Sequence, residues 1–258
     1  MSTQTSTQIV KAHALRALHA PGAPLVLFNC WDAGSARAIA AGGARAIATA
    51  SWAVAAANGY ADGEQLPRDL AIANIGRIAR AVDLPVTADL ERGYGATPDD
   101  VADTVTQAVR AGAVGCNLED GDDAGGLRPA IDQAARLQAA RAAAERLDVP
   151  LFINARTDGF LLAAPDAHTD ALLDATLERA RLYAAHGADG LFVPGLVDAA
   201  LIERLVHASP LPVNLMAAAG TPPLATLRAL GVARLSHGPG PYLQAMRALE
   251  DAARGAAA

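Results

Sequence analysis

The chain has 258 residues, 52% of them hydrophobic, and a formal net charge of −6 at pH 7. That length can bury a substantial core and matches the roughly 250 residues of an α/β barrel, while the scattered basic residues form no stripe for a phosphate backbone or an anionic leaflet. Nucleic acid and a membrane surface are therefore excluded as expected partners, and two lone cysteines, Cys30 and Cys116, without C-x-x-C or zinc spacing fit a reducing cytoplasm.

Met1 to Gln8 is rich in Ser, Thr and Gln, lacks the organisation of a signal peptide, and reads as a frayed tail. A helix is predicted over 9–19. Short β-branched or apolar runs then recur between alanine-rich amphipathic stretches, the pattern of repeated βα units. They fall at 25–28, 46–49, 86–89, 114–118, 151–155, 190–193, 213–216 and 233–236. Several are apolar throughout, as expected of strands covered on both faces.

Thr97-Pro98-Asp99-Asp100 reads as a helix start with a capping Thr, Pro at the first helical position and acid in the first turn. Asp198 and Thr221-Pro222 are predicted as further N-caps. Helix ends recur as Gly43-Ala44, Gly112-Ala113, Gly187-Ala188 and Gly231-Val232, one device repeated before four strands. A last helix is predicted over 241–254. Eight units without a glycine-rich dinucleotide turn favour a single (β/α)8 TIM barrel over residues 1–258 rather than an open doubly wound sheet.

In such a barrel the chemistry lies where strands run into βα loops. Those positions are acidic here: Asp89 and Glu91 after the third run, Glu119 and Asp120 after the fourth, and Asp62 in the loop after the second. Carboxylates drawn together repel unless a cation or shared protons offset them. Mg²⁺ keeps several waters and touches one or two carboxylates, so Asp89 is expected as the direct ligand, with Asp62, Glu91 and Glu119 on metal waters. Any one of these acids could equally cap a helix or pair with Arg92 or Arg128. Asn154-Ala155-Arg156-Thr157-Asp158 ends the fifth run, and Arg156 is either a fork for a substrate carboxylate or a structural ion pair with Glu119 or Asp158. The loop Arg92-Gly93-Tyr94-Gly95 reads as flexible.

Residues 29–36, 46–52, 59–64, 85–95, 117–120 and 154–158 together resemble the isocitrate lyase/phosphoenolpyruvate mutase superfamily. The resemblance implies a barrel, Mg²⁺ or Mn²⁺, and chemistry through the enolate of a 2-oxo acid. It places Asp62, Asp89, Glu91 and Glu119 at the metal, Arg156 on the substrate carboxylate, and the backbone amides near Ser51 and Trp52 on a substrate oxygen. Ala50 stands where relatives tend to carry Ser or Gly, a contact that Thr49 or Ser51 could replace. Tyr60, Tyr94, Asn214 and His237 are further pocket candidates. His237 is read as a proton donor or as a cap of the last helix; the other five histidines read as surface residues.

The loop 121–128, Gly-Asp-Asp-Ala-Gly-Gly-Leu-Arg, lacks the Lys-Arg-Cys-Gly-His segment of isocitrate lyases and the Lys-Thr-Asn-Ser-type gate of phosphonomutases. Asp122 and Asp123 are its only acids. The expectation is an Mg²⁺-dependent carbon–carbon lyase or decarboxylase of a small 2-oxo or 2-hydroxy dicarboxylate. A C–P bond enzyme of the phosphonopyruvate hydrolase or mutase type, and a non-catalytic metal-dependent carboxylate binder, stay open. The resemblance also implies a homo-oligomer, a tetramer or dimer, with the last helix exchanged between subunits or packed on its own barrel.

Overall fold

The computed structural model describes residues 3–122 and 124–256. Met1 and Ser2 of the expected tail, Asp123 of the loop, and the last two residues of the expected domain lie outside them. In chain order the elements are α1 (Thr3–Leu18), β1 (Leu25–Leu27), α2 (Ala33–Ala41), β2 (Ile47–Ala48), α3 (Ser51–Ala57), α4 (Arg68–Ala81), β3 (Val86–Asp89), α5 (Pro98–Ala111) and β4 (Gly115–Glu119). There follow α6 (Ala130–Glu145), β5 (Phe152–Arg156), α7 (Gly159–Leu162), α8 (Asp170–Ala185), β6 (Gly190–Val193), α9 (Ala199–Ala208), β7 (Val213–Met216), α10 (Leu224–Ala229), β8 (Arg234–Ser236) and α11 (Gly240–Ala256).

All strand pairs are parallel, in the order β1-β8-β7-β6-β5-β4-β3-β2. The ring is completed where Cys30 bridges Thr49 between the ends of β1 and β2, with Cys30 N donating to Ala48 O at 2.8 Å and Ala50 N to Cys30 O at 3.2 Å. A closed barrel leaves no edge strand between these two, although β2 has only two ladder residues.

Strand periodicity divides each strand into an outward apolar set and an inward set. Cys116, Leu118, Ile153 and Ala155 join the apolar layer between sheet and helices, whereas Asn117, Asn154, Asn214, Arg234 and Ser236 are buried and bond to one another. The barrel interior is thus polar at mid-height. Its lower end is plugged by α1: a Cβ on Gly115 would meet Leu15 Cδ2 at 2.6 Å, so only glycine admits that leucine.

Three expectations change. Residues 3–8 are helical and not frayed, and the Gln8 amide donates to Val109 O and Ala113 O at 2.7 and 2.9 Å. Thr221 is no N-cap; its hydroxyl accepts from Ala218 N and tightens the turn, and α10 begins only after Pro223. His19 is no surface residue: it stacks on Phe152 at 3.9 Å below the barrel, where burial first and the charge of Arg234 second lower its pKa to about 3. The Thr97–Asp100 capping box, the Asp198 cap, and the positive φ of Gly43, Gly112, Gly187 and Gly231 match the sequence reading.

Candidate functional site

Asp89 is the last residue of β3, and Ser51 opens α3 just beyond β2. This adjacency lets Asp89 Oδ2 accept from both Ser51 N (3.2 Å) and Ser51 Oγ (2.8 Å), while Asp89 N donates to Thr49 Oγ1 at 2.8 Å. Both hydroxyls flanking Ala50 therefore serve Asp89. The Ser51 amide, expected to receive a substrate oxygen, is given to this carboxylate instead. Asp89 Oδ1 is buried and has no hydrogen-bond partner.

Glu91 follows in a left-handed backbone conformation (φ 51°) that swings its side chain into the site. It accepts from Glu64 N at 2.5 Å and from the Tyr94 hydroxyl at 3.0 Å. Burial first, then the charge of Asp89, raises its pKa to about 7. Asp62 is exposed at the surface of its loop, and its pKa is raised by partial burial and by Asp89. Glu64, which the sequence reading passed over, joins the loops: Tyr94 N donates to its carboxylate at 2.6 Å, and Arg92 lies 3.5 Å away.

The loop 92–96 is pinned, not flexible. Arg136, buried on α6, donates to the carbonyls of Arg92, Gly95 and Ala96 at 2.5, 2.8 and 2.9 Å. A Cβ on Gly95 would lie 2.1 Å from Asp100 Cβ, so the glycine serves close approach.

Glu119 and Arg156 end β4 and β5 as register partners, and Arg156 Nη1 lies 2.7 Å from Glu119 Oε2. Arg156 Nε and Nη2 donate to the two oxygens of Asp158 at 2.6 and 3.0 Å. Burial opposes the guanidinium charge, but Glu119, Asp158 and Asp89 outweigh it and hold the arginine pKa above its ordinary value. Burial pushes Glu119 up to about 8, against Arg156 and with Asp158 and Asp89. Both structural pairings weighed for Arg156 are thus present at once; of its five N–H groups, two remain for a ligand. Asp120, the adjacent residue, points the other way and is tied to Arg179, Tyr183 and Asp158 N, a structural network behind the strand.

The remaining candidates are more peripheral. The Trp52 ring packs edge-on against Tyr242 at 6.0 Å, and Tyr60 is exposed at the end of α3. Asn214 is buried in the polar layer, with Nδ2 unpartnered. The His237 ring packs on Phe28 at 5.1 Å, and burial alone lowers its pKa. Strand alternation explains this, since Ser236 faces inward and bonds Asn214. Both cysteines are buried, and burial pushes their pKa values up to about 12. In the loop 121–128, Asp122 accepts from Ala124 N and Gly126 N and closes a tight turn.

The donors gathered here are carboxylate oxygens, the ligand type of a hard cation. Among the described residues no three His, Cys, Asp or Glu side chains form a ready chelate. One buried, unpartnered carboxylate oxygen on Asp89, ringed by acids whose pKa values burial and mutual charge raise, suits an ion held by one direct ligand and by water.

A family model described as phosphoenolpyruvate phosphomutase matches residues 15–257. A crystal structure from Burkholderia cenocepacia J2315, carrying a provisional phosphonomutase name, is 58% identical, with a TM-score of 0.94 over 96% of this chain and 99% of that one. The 2-methylisocitrate lyase of Escherichia coli K12 is 30% identical over 257 residues, covering 92% of this chain and 83% of its own. An oxaloacetate decarboxylase of Chromohalobacter salexigens is 34% identical over 189 residues, 69% of this chain and 61% of its own.

Proposed function

Because the chain belongs to the phosphoenolpyruvate phosphomutase family, and with it to the isocitrate lyase/phosphoenolpyruvate mutase superfamily of lyases and mutases, we propose that it is a divalent-metal-dependent carbon–carbon lyase or decarboxylase of a small 2-oxo or 2-hydroxy dicarboxylate. The observation that carries this reading is the unpartnered, buried Oδ1 of Asp89 set among Asp62, Glu91 and Glu119 and beside Arg156. Mg²⁺ or Mn²⁺, held by Asp89 directly and by the other three acids through water, would supply Lewis-acid stabilisation of the enolate that forms as the bond breaks.

The protein's own groups divide the remaining work. Ser51 and Thr49 fix the rotamer of Asp89 through Oδ2 and the backbone, leaving Oδ1 to the site. Arg156, anchored on Asp158, offers its two remaining N–H groups to the substrate carboxylate. Glu119, paired with Arg156 at 2.7 Å, steadies the guanidinium beside the substrate and faces the water shell of the cation. His237 is not assigned the role of proton donor, because it packs on Phe28.

The 58% identity to the B. cenocepacia protein favours a second reading, cleavage or rearrangement of a C–P bond. Assaying oxaloacetate, 2-methylisocitrate, 2,3-dialkylmalates and phosphonopyruvate with Mg²⁺ separates the two. Turnover of phosphonopyruvate alone reverses the order of the readings. Mg²⁺-dependent oxalate binding without any turnover marks a carboxylate-binding protein.

The chain is also proposed to form a homo-oligomer through α11. This amphipathic helix buries only Pro241, while a groove of about 800 Å³ between β1, α2 and α11 leaves Val26 and Phe28 39% and 42% exposed. An uncovered strand face and an uncovered helix stripe on one chain suit the α11 helix of a second copy. Among the described residues no helix is long and apolar enough to cross a membrane.

A further inference from the structure

Below the acids, the barrel interior holds a cation that no acid touches among the described residues. Arg234 opens β8 and is fully buried. Its Nε donates to Ser236 Oγ at 3.0 Å and its Nη2 to Asn117 Oδ1 at 3.4 Å, both neutral acceptors, and Nη1 has no partner. Asn117 is in turn the register partner of Asp89 on the neighbouring strand. His19, the titratable group on the other side, is held neutral.

Barrel interiors are ordinarily filled by branched apolar side chains. An apolar side chain of similar length would fill this volume without the cost of an unpaired buried charge. The guanidinium is therefore not explained by packing. A fixed charge in a low-dielectric interior acts over several ångströms without contact, and Asp89 is the acid whose charge reaches the guanidinium.

We propose that Arg234 is a positioning residue, the fixed positive floor of the site, which weakens the hold of Asp89 on a bare cation and strengthens the hold of the loaded site on a dianionic ligand. The inference rests on the reading of Asp89 as the cation ligand. Its consequence is an ordered preference: the cation is held loosely in the empty site and firmly only together with the anion, whose charge Arg234 favours.

The test is titration calorimetry with Mg²⁺ alone, and with oxalate at saturating Mg²⁺, on the wild type, Arg234→Met, Arg234→Gln and Arg234→Lys. Removing the charge should tighten Mg²⁺ and weaken oxalate, each on the order of tenfold, while Arg234→Lys should keep both within about threefold of the wild type. Gln keeps a polar group beside Ser236, the partner of Nε, and serves should Met fail to fold. Opposite signs on cation and anion are what a purely structural role would not produce. Affinities that fall together, or that do not change, overturn the inference while leaving the metal reading intact. A wild type that binds no Mg²⁺ overturns the reading of Asp89, and the inference with it.

Discussion

Glu119 and Arg156 stand opposite each other in register on β4 and β5, closed by a 2.7 Å ion pair whose guanidinium is shared with Asp158. The pair is structural and functional together. Arg156→Ala leaves two carboxyls buried without their cation and should cost roughly 3–5 kcal/mol of stability, read as a fall in the denaturation midpoint. Arg156→Lys should fold but raise KM for a carboxylate substrate at least about tenfold, because a point charge cannot span Asp158 and a ligand as the planar fork does. Unchanged stability and KM in both variants would remove Arg156 from the site.

Asp89→Asn keeps the shape and an oxygen for Ser51 but removes the charge. Calorimetry should show Mg²⁺ binding lost, and turnover should fall at least about 100-fold. Tight Mg²⁺ binding by this variant would move the direct ligand elsewhere.

The acids also predict a pH signature. In the unfolded chain Glu91 titrates near 4.5; in the folded protein burial and the charge of Asp89 raise it to about 7. Below pH 4.5 both states are protonated and the contribution is fully present. Between 4.5 and 7 the unfolded chain sheds a proton that folded Glu91 keeps, so this contribution falls as pH rises. At about 1.4 kcal/mol per pKa unit, Glu91 alone carries on the order of 3 kcal/mol. The stability of metal-free Glu91→Gln relative to the wild type should rise between pH 5 and pH 8.5, a difference that cancels the opposite contribution of His19, whose lowered pKa adds stability as pH rises toward 6.5. A relative stability that does not change over this interval would contradict the raised value of Glu91.

Gly95→Ala brings a methyl group into Asp100, which also caps α5 through Thr97. A loss of about 2 kcal/mol or more is expected, together with weaker Mg²⁺ binding as the loop carrying Glu91 shifts. Arg136→Met should loosen the same loop by releasing its three carbonyls. Wild-type stability in both would leave the loop's order to other contacts.

Light scattering on Leu243→Glu and Leu249→Glu tests the proposed role of α11. Both residues are exposed, at 40% and 63%, so neither change disturbs a buried core. A smaller assembly than the wild type is expected. An unchanged mass would mean that another face joins the subunits, and a monomeric wild type would end the proposal.

Strand count, repeat and most caps were legible because they are local: β-branched runs, Thr97-Pro98-Asp99-Asp100, and glycines at four helix ends act within a few residues. So were the positions of Asp89 and Glu119, because each closes a strand. What misled was also local. Thr221-Pro222 has the composition of a cap but forms a turn, and glycines in 92–95 looked mobile although Arg136, some forty residues on, holds that loop.

By itself, then, the sequence determined the (β/α)8 architecture and the carboxylates at its mouth, because period-two strands and strand-end positions require only neighbouring residues. Tertiary structure decided which way each group faces and what shares its field. It set Glu119 inward and Asp120 outward, gave the Ser51 amide to Asp89, turned His237 onto Phe28, and buried Arg234 beneath the acids. Burial and long-range charge depend on strands brought together from more than a hundred residues apart, as when Arg234 bonds Asn117, and no local pattern carries that information.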